Sequence, residues 1–227
     1  MCGRLTIRSD TNELRGFFAK LQREVWQGPR YNVAPTQTVA TILNDGTANV
    51  HQTTWGLIPH WASDRSIGDK MINARAETLS ERPAFKPLLA QRRCIILADG
   101  FYEWKAIAGG KLKQPYYITL KSGELFGLAG LWDTWKSSDG QVVTSSTIIT
   151  TVPNRLMVDV HDRMPVILRP EAIPMWISTE TQLTRALKGV LTAYPAELMQ
   201  MYPVSGLVNK ATVDTPECIR PLGADRL

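Results

Sequence analysis

Hydrophobic residues recur along this chain with two different periods. Near the amino end they return every three or four positions, which predicts an amphipathic helix over residues 10–25. The same spacing predicts helices over residues 80–92, 170–177 and 180–190. The first of these three is entered through Pro83, and Pro87 limits the part of it that can be regular.

Between these helices the sequence is dominated by short runs of β-prone residues. Residues 38–43 and 48–55 flank Asn44-Asp45-Gly46, which is a strong signal for a β-hairpin. Further strands are predicted at residues 93–99, 101–106, 116–121, 126–132, 142–151 and 166–168, with residues 201–205 and 218–221 closing the sheet. Because strands follow one another in blocks instead of alternating with helices, we expect an α+β fold with a mostly antiparallel or barrel-like core. The chain has no internal repeat or linker, so one domain over residues 1–227 is predicted.

Composition and charge exclude several classes of protein. Of the 227 residues, 44% are hydrophobic and 21% are charged, which excludes disordered, collagen-like and coiled-coil proteins. The net charge of +5 permits a polyanionic partner without requiring one. No apolar run approaches the ~20 residues of a membrane span, and the amino end lacks the apolar stretch of a signal peptide. The three cysteines form no disulfide framework, so we expect a soluble protein of the reducing cytoplasm.

Cys2 is the first candidate for chemistry because of its position. Initiator methionine is commonly removed before a small residue, and the mature chain would then begin with an amine and a thiol on one residue. Both groups are partly available as nucleophiles at neutral pH, since their ordinary pKa values are about 8 and about 8.5. Together they can trap an aldehyde: the amine forms an imine, and the thiol then closes a five-membered thiazolidine ring. The alternative is a small buried hydrophobic residue that lies early in the chain.

Three further polar residues lie in unusual surroundings. Asn73 follows a loop and is either part of a site or the N-cap of a helix, with Arg75 and Glu77 as a surface pair. Glu103 stands between aromatic residues in a predicted strand, where an apolar setting suits a general acid or base; otherwise it faces solvent. His161 precedes a charged pair and a proline in a rigid loop, although a lone histidine is more often structural. The cysteines and histidines show no metal-ligand spacing, so no metal site is predicted.

Basic and aromatic residues near these positions could form a surface for a polyanion. The basic residues are Arg4, Arg30, Arg75, Arg82, Lys86, Arg92, Arg93 and Arg163. Trp55 and Trp61 are candidates for stacking on exposed bases. The alternative is that the charges form a solvated face and the tryptophans belong to the core, and composition does not decide between the two.

Seven segments, taken in order, resemble the SOS response-associated peptidase (SRAP) family, whose domain processes abasic sites in single-stranded DNA. They are Met-Cys-Gly-Arg at residues 1–4, Arg-Tyr-Asn-Val-Ala-Pro at 30–35, Trp-Gly-Leu-Ile-Pro-His-Trp at 55–61, Asn-Ala-Arg at 73–75, Gly-Phe-Tyr-Glu-Trp at 100–104, His-Asp-Arg-Met-Pro at 161–165, and Val204-Ser205 with Val208-Asn209. The resemblance covers essentially the whole chain. Leu97 departs from it, because many relatives carry proline before the Ala-Asp-Gly turn, but this position belongs to a strand and not to a reacting group.

The resemblance implies a reaction with the aldehyde of an abasic site, which is a ring-opened sugar. Cys2 would form a stable thiazolidine crosslink that shields the lesion, and Asn73 would position the Cys2 amine or the sugar. Glu103 would move protons during imine formation and reversal. His161 would assist opening of the sugar ring and hydrogen-bond its hydroxyl group. The crosslink is expected to be reversible, and the imine chemistry also implies a weak abasic-site lyase activity.

The resemblance also implies a basic groove that binds DNA. The expected DNA-binding residues are Arg4, Asn32, Pro35, Trp61, Arg75, Thr150 and Arg163. The arginines and Thr150 would contact phosphates, whereas Pro35 and Trp61 would stack on the end of a duplex. A junction between single- and double-stranded DNA is therefore the expected site of action. We expect a monomeric protein with no cofactor, no metal and no membrane contact.

Two other functions fit parts of the sequence. In an N-terminal-nucleophile hydrolase or peptidase, the Cys2 thiol would attack an amide with its own amine as base, and product would be released. A non-covalent module for single-stranded DNA would bind in a strongly salt-dependent way and would be indifferent to Cys2. The set of segments favours crosslinking over both.

Overall fold

Two β-sheets, one of which closes into a barrel, form the centre of the fold. The computed structural model describes residues 2–8, 28–47, 49–107, 112–180 and 185–223. Within these ranges the strands are β1 (Leu5–Ile7), β2 (Arg30–Val33), β3 (Thr38–Leu43), β4 (Val50–Trp55), β5 (Asn73–Arg75), β6 (Arg93–Ala98), β7 (Gly100–Ala106), β8 (Lys113–Leu120), β9 (Phe126–Lys136), β10 (Val142–Thr151), β11 (Met164–Pro165), β12 (Ile167–Leu168) and β13 (Met199–Pro203). The α+β class and the mostly antiparallel, barrel-like core are confirmed.

Five strands close the barrel in the order β10–β4–β3–β6–β9, and β9 pairs again with β10. The pairing of β10 with β4 is parallel, and the other pairings of the barrel are antiparallel. Towards the end of β10, the short strand β5 becomes its parallel partner and β11 its antiparallel partner. The last residues of β10 therefore lie between β5 and β11.

The second sheet is antiparallel, in the order β13–β8–β7–β1–β2. Its strand β7 follows β6 of the barrel after Asp99, so the chain passes from one sheet to the other at this residue. The buried carboxylate of Asp99 accepts hydrogen bonds from Thr6 Oγ1 and from the backbone N–H of Arg8, which ties β1 to the crossing. Gly100 is required here, because a Cβ atom would lie 2.1 Å from the hydroxyl oxygen of Tyr117.

The described α-helices are short: α1 (Lys86–Gln91), α2 (Ile173–Ile177) and α3 (Arg185–Gly189). The helix predicted over residues 80–92 begins only at Lys86, because in a longer helix the ring of Pro87 would clash with the carbonyl of the preceding turn. The helix predicted over residues 10–25 lies outside the described residues, as do residues 181–184 of the one predicted over 180–190. No helix in the described ranges is long and apolar enough to cross a membrane.

Most predicted strands are observed with small shifts at their ends. Strand β9 runs on to Lys136, beyond the predicted end at residue 132, because it pairs with β10 along that length. The strand predicted over residues 218–221 is wrong, since Pro216–Ile219 form a 3-10 turn and Pro221 makes a single bridge to Val204. Proline begins such a turn readily, because its missing N–H is not needed there.

Buried Arg93 joins the barrel to two helices. It opens β6 and has no exposed surface, so its predicted place on a polyanion-binding surface is wrong. Its guanidinium donates hydrogen bonds to the carbonyl oxygens of Leu89 and Ala90 at the end of α1, and of Trp176 and Ser178 at the end of α2. The last carbonyls of a helix lack partners within the helix. Arg93 therefore caps both helices from inside the fold.

Arg93→Leu is expected to lower the free energy of unfolding by about 3 kcal/mol, because it leaves the capped carbonyls without a donor. Urea denaturation followed by circular dichroism measures the change. Arg65→Leu, at an exposed position, is the matched control and should change the free energy by less than about 0.5 kcal/mol. Equal effects of the two variants would contradict the capping role.

Candidate active site

Cys2 lies just before β1, in a hydrophobic cluster that draws residues from both sheets, including Trp55 of β4 and Phe101 of β7. In the chain that carries Met1 its exposed fraction is 0%. Burial raises the pKa of the Cys2 thiol, and the nearby negative charge of Glu103 raises it further. The thiol is therefore held in its protonated form at neutral pH.

Asn73 contacts Cys2 directly. It opens β5, which pairs in parallel with β10. Its Nδ2 donates a hydrogen bond to the carbonyl oxygen of Cys2 at 2.9 Å. Its Oδ1 is buried, and no donor among the described residues reaches it. The alternative of a helix N-cap is wrong, because Asn73–Arg75 form a strand.

Glu103 is buried on β7, with an exposed fraction of 2%. Burial raises its pKa to about 7, because an apolar setting disfavours the charged carboxylate. The alternative of a glutamate on the solvent face of the strand is therefore wrong. Because the charge of Glu103 acts on the pKa of the Cys2 thiol, the two side chains lie within electrostatic range of each other.

His161 lies in the loop between β10 and β11. Its Nδ1 accepts a hydrogen bond from the backbone N–H of Arg163 at 3.0 Å and lies 2.8 Å from Oδ1 of Asp162. Burial lowers the pKa of His161, whereas the charge of Asp162 opposes this change. The same charge raises the pKa of Glu103, so Asp162 acts on both groups.

These interactions bring the four predicted catalytic residues into one region. Asn73 hydrogen-bonds Cys2, and Glu103 acts on the Cys2 thiol through its charge. Asp162 links Glu103 with His161. The region therefore combines a thiol, a carboxyl group that titrates near neutral pH, an amide and an imidazole. In the described part of the chain, no group of three His, Cys, Asp or Glu residues is placed to hold a metal ion.

Arg163 and Thr150 are buried, and Arg163 is held against Glu77. The Nη1 and Nη2 atoms of Arg163 donate to the two carboxylate oxygens of Glu77 at 2.9 and 2.8 Å, and Nη2 also donates to the carbonyl oxygen of Thr150 at 2.6 Å. The hydrogen bonds from Arg163 lower the pKa of Glu77. Glu77 thus hydrogen-bonds Arg163, and not Arg75 as the surface-pair alternative predicts.

Asn32 is buried in β2, and its side chain is engaged within the chain. Its Nδ2 donates to three carbonyl oxygens of residues 208–213, and its Oδ1 accepts a hydrogen bond from Nη1 of Arg4 at 2.7 Å. Arg4 is half-buried and also donates to the carbonyl oxygens of Val208 and Asn209. Asn32 therefore fixes the side chain of Arg4 and presents no amide group at the surface.

Trp61 projects from the loop after β4, with an exposed fraction of 59%. The loop is fastened to β9 on both sides of it. The backbone N–H of His60 donates to Oδ2 of Asp133 at 2.8 Å, and Nε1 of Trp135 donates to the carbonyl oxygen of Ala62 at 2.7 Å. These two attachments hold the backbone on either side of Trp61 and leave its indole ring at the surface.

The other predicted DNA-binding residues differ in exposure. Arg75 is exposed, and Pro35 is half-buried in the turn between β2 and β3. Trp55, the other candidate for base stacking, has no exposed surface, and its Nε1 donates to the carbonyl oxygen of Ile72 at 2.9 Å. For Trp55 the core alternative is therefore the correct one.

Three acidic residues make contacts that the sequence did not predict. Asp133 stands among aromatic residues in a strand, as Glu103 does, and this pattern could have identified it. Asp162 adjoins His161 and could have been found through that adjacency. Glu77 meets Arg163 only through the fold, because 86 positions separate them in the chain.

Comparisons with known proteins agree on one family. The family model described as SOS response associated peptidase (SRAP) matches residues 1–211. The chain is similar to the abasic site processing protein YoqW of Bacillus subtilis (strain 168), at 47% identity over 223 residues, covering 96% of this chain and 99% of that protein. It is similar to the abasic site processing protein HMCES of Rattus norvegicus, at 32% identity over 271 residues, covering 97% of this chain and 76% of that protein. A crystal structure of a protein from Bacteroides thetaiotaomicron superimposes with a TM-score of 0.85 at 25% identity, covering 97% of this chain and 99% of that chain.

Glu103 is expected to make stability depend on pH. Burial raises its pKa from the ordinary 4.5 to about 7, so the folded protein keeps a proton that the unfolded chain releases within this range. The penalty for burying the carboxylate is absent below the unfolded pKa and is fully present above the folded pKa. Glu103→Gln should therefore raise the free energy of unfolding by up to about 3 kcal/mol at pH 8. At about pH 4 it should leave this free energy nearly unchanged.

Urea denaturation at the two pH values measures this difference. Glu124→Gln removes an exposed carboxylate and is the matched control, with no gain expected at either pH. If Glu103→Gln raised the free energy of unfolding equally at both pH values, the buried charge would not be the cause of the increase.

Proposed function

Because this chain belongs to the SOS response-associated peptidase (SRAP) family, we propose that it crosslinks to abasic sites in single-stranded DNA through Cys2. Relatives that carry the name abasic site processing protein match nearly the whole chain, and DNA with abasic sites is the partner consistent with that name. The observation that carries the proposal is the position of Cys2, which is hydrogen-bonded to Asn73 and within electrostatic range of Glu103.

The chemistry uses both nucleophiles of a terminal cysteine on one carbon. Removal of Met1 frees the Cys2 amine, which adds to the aldehyde of the ring-opened sugar and loses one water to give an imine. The thiol sulfur then adds to the imine carbon, and a proton ends on the ring nitrogen. The product is protein plus DNA minus one water, joined through one C–N and one C–S bond.

Glu103 is suited to move the protons of these steps. A pKa of about 7 lets it release and accept a proton near neutral pH. Because burial holds the Cys2 thiol in its protonated form, addition of the sulfur needs a base beside it. The carboxylate of Glu103 accepts this proton, and the carboxylic acid returns it when the crosslink reverses.

Asn73 and His161 position the reacting groups. Nδ2 of Asn73 holds the Cys2 carbonyl, and its Oδ1 is available to accept a hydrogen bond from the Cys2 amine or from a sugar hydroxyl. His161 assists opening of the sugar ring and hydrogen-bonds its hydroxyl group. The lowered pKa of His161 keeps its imidazole neutral at pH 7, so that it can both donate and accept one hydrogen bond.

Arginines contact the phosphates of the abasic-site strand in this proposal. Arg4 is held in place by Asn32, and Arg75 is exposed. Arg163 is held by Thr150, and a phosphate would replace Glu77 as the partner of its guanidinium. Such contacts would line a basic groove and add a salt-dependent part to the affinity.

Pro35 and Trp61 stack on the last base pair where a duplex meets the single strand. The proposed substrate is thus an abasic site next to such a junction. The protein acts there as a monomer in the cytoplasm or on the nucleoid, without a cofactor. The imine also permits β-elimination at the sugar, so we expect a weak lyase activity.

Intact mass spectrometry tests this proposal. After incubation with a single-stranded oligonucleotide that carries one abasic site, we expect protein without Met1 and an adduct of protein plus DNA minus water. The adduct should survive heating without borohydride, because a thiazolidine, unlike an imine, needs no reduction to persist. Protein that lacks Met1 and forms no adduct would overturn the proposal. Repeated cleavage of a peptide with release of product would support the N-terminal-nucleophile hydrolase instead.

Cys2→Ala is expected to abolish crosslinking while leaving non-covalent DNA binding largely intact, because it removes the thiol and no phosphate contact. Denaturing gels measure the crosslink, and fluorescence anisotropy measures the binding. A variant that retains extra residues before Cys2 keeps the thiol without a free amine and should lose crosslinking equally. Normal yield from this blocked variant would argue against a thiazolidine.

Glu103→Gln is expected to slow both formation and reversal of the crosslink by about 100-fold, because the amide cannot take up or release the proton. Time courses of crosslinking, and of transfer from one oligonucleotide to a second, measure the two rates. Glu124→Gln is the exposed control and should leave both rates unchanged. Parental rates in both directions for Glu103→Gln would remove Glu103 from the mechanism.

A further inference from the structure

A second polar cluster lies beside Trp61, apart from the residues around Cys2. Its centre is Asp133 of β9, which has an exposed fraction of 1%. Oδ2 of Asp133 lies 2.9 Å from Nδ1 of His60, and Oδ1 accepts a hydrogen bond from Nη1 of Arg92 at 2.9 Å. We call His60, Arg92 and Asp133 the Asp133 cluster.

The carboxylate of this cluster is buried, whereas its two basic side chains reach the surface. The side chain of His60 is 62% exposed, and that of Arg92 is partly exposed. Arg92 is further fixed by Trp132, because its guanidinium lies over the indole ring at 4.9 Å from the centroid. Both basic groups are thus oriented before any ligand arrives, which lowers the entropy cost of binding.

The cluster has nitrogen atoms that Asp133 does not occupy. Nδ1 of His60 faces Oδ2 of Asp133, so the hydrogen-bond geometry assigns a proton to Nδ1, and the imidazolium form also donates from Nε2. Nη1 of Arg92 donates to Oδ1 of Asp133, and the guanidinium has further N–H donors. An anion is the ligand that such donors favour.

Strand β10 relates the cluster to the proposed crosslinking site. Ser145 of β10 pairs with Asp133, and Ile148 of β10 pairs with Asn73. Ile148 is three residues beyond Ser145, and each residue adds about 3.3 Å along a strand. Asp133 and Asn73 therefore pair with β10 at points about 10 Å apart along it. This is close to the length of three stacked base steps of about 3.4 Å.

Trp61 stands next to this cluster in the chain and is exposed. If a duplex ends on its indole ring, two DNA backbones reach this part of the surface. The arginines proposed for the abasic-site strand, including Arg75 and Arg163, belong to the other end of this stretch, since Arg75 pairs with Thr150 and Arg163 hydrogen-bonds Thr150. The Asp133 cluster is therefore the basic group that is left to bind the second DNA backbone.

We propose that His60 and Arg92, held by Asp133, form a phosphate-binding site for the DNA strand that pairs with the abasic-site strand at a junction. This inference rests on the proposed function, because it takes Trp61 as the surface on which the duplex ends. The site adds affinity only when a paired strand is present, so it selects junctions over single strands.

Binding of two DNA probes tests this site. Both carry an unreactive tetrahydrofuran analogue of the abasic site; one is a single strand and the other a junction with a paired strand ending next to the analogue. Fluorescence anisotropy should show that His60→Asn and Arg92→Gln each weaken junction binding by about fivefold to tenfold, with single-strand binding unchanged. The side-chain amide of Asn at position 60 can still donate to Asp133 in place of Nδ1 of His60. The variant therefore removes Nε2 but keeps the loop attached to Asp133. Lys121→Gln, which removes an exposed charge from the turn after β8, is the matched control.

Two outcomes would overturn this inference. One is a ratio of junction to single-strand affinity in both variants that equals the ratio for Lys121→Gln. The other is an equal loss of affinity on both probes. Because the analogue cannot crosslink, these results are independent of the Cys2 chemistry. Crosslinking of the parent protein to a true abasic site tests the proposed function separately. Parental crosslinking of His60→Asn and Arg92→Gln to a single strand shows that both variants are folded.

Discussion

Closure of the barrel requires β10 to pair along both of its edges. Strands β4 and β9 do this over its first part, and the short strands β5 and β11 do it over its last residues. A buried strand cannot leave its backbone amides unpaired, so these two short strands are needed where the longer ones diverge. Asn73 enters the site on β5, and His161 enters through the loop that leads into β11. The arrangement of the site therefore follows from how the end of one barrel strand is covered.

The second sheet contributes a carboxyl group that is costly to bury. Glu103 follows the crossing at Asp99 and Gly100, where the chain leaves the barrel, and the aromatic surroundings of β7 leave its carboxylate poorly solvated. A fold selected for stability alone would place an apolar residue there. The charge of buried Asp133 is compensated by hydrogen bonds from the backbone and side chain of His60 and from Arg92. One carboxyl group thus has a pKa near neutrality, and the other organises the side chains around it.

Local patterns were sufficient for much of the strand content. The bounds of β10 and the hairpin of β3 and β4 follow from alternation and from the turn residues between them. Barrel closure does not follow, because the parallel pairing of β10 with β4 joins segments that are distant in the chain. Trp55 and Trp61 illustrate the same limit: they share one segment, yet only tertiary packing makes one a core residue and the other a surface residue. Arg93 looks like any surface arginine until the ends of two helices are brought to it.

The enclosure of Cys2 also bears on how the chain withstands oxidative stress. Peroxide and alkylating agents react with cysteine as the thiolate, and they need access to the sulfur. The Cys2 sulfur is shielded from solvent and stays protonated at neutral pH. Peroxide and alkylating agents should therefore react slowly with this sulfur as long as it stays enclosed. Its protection comes from the structure around it, and not from the intrinsic reactivity of cysteine.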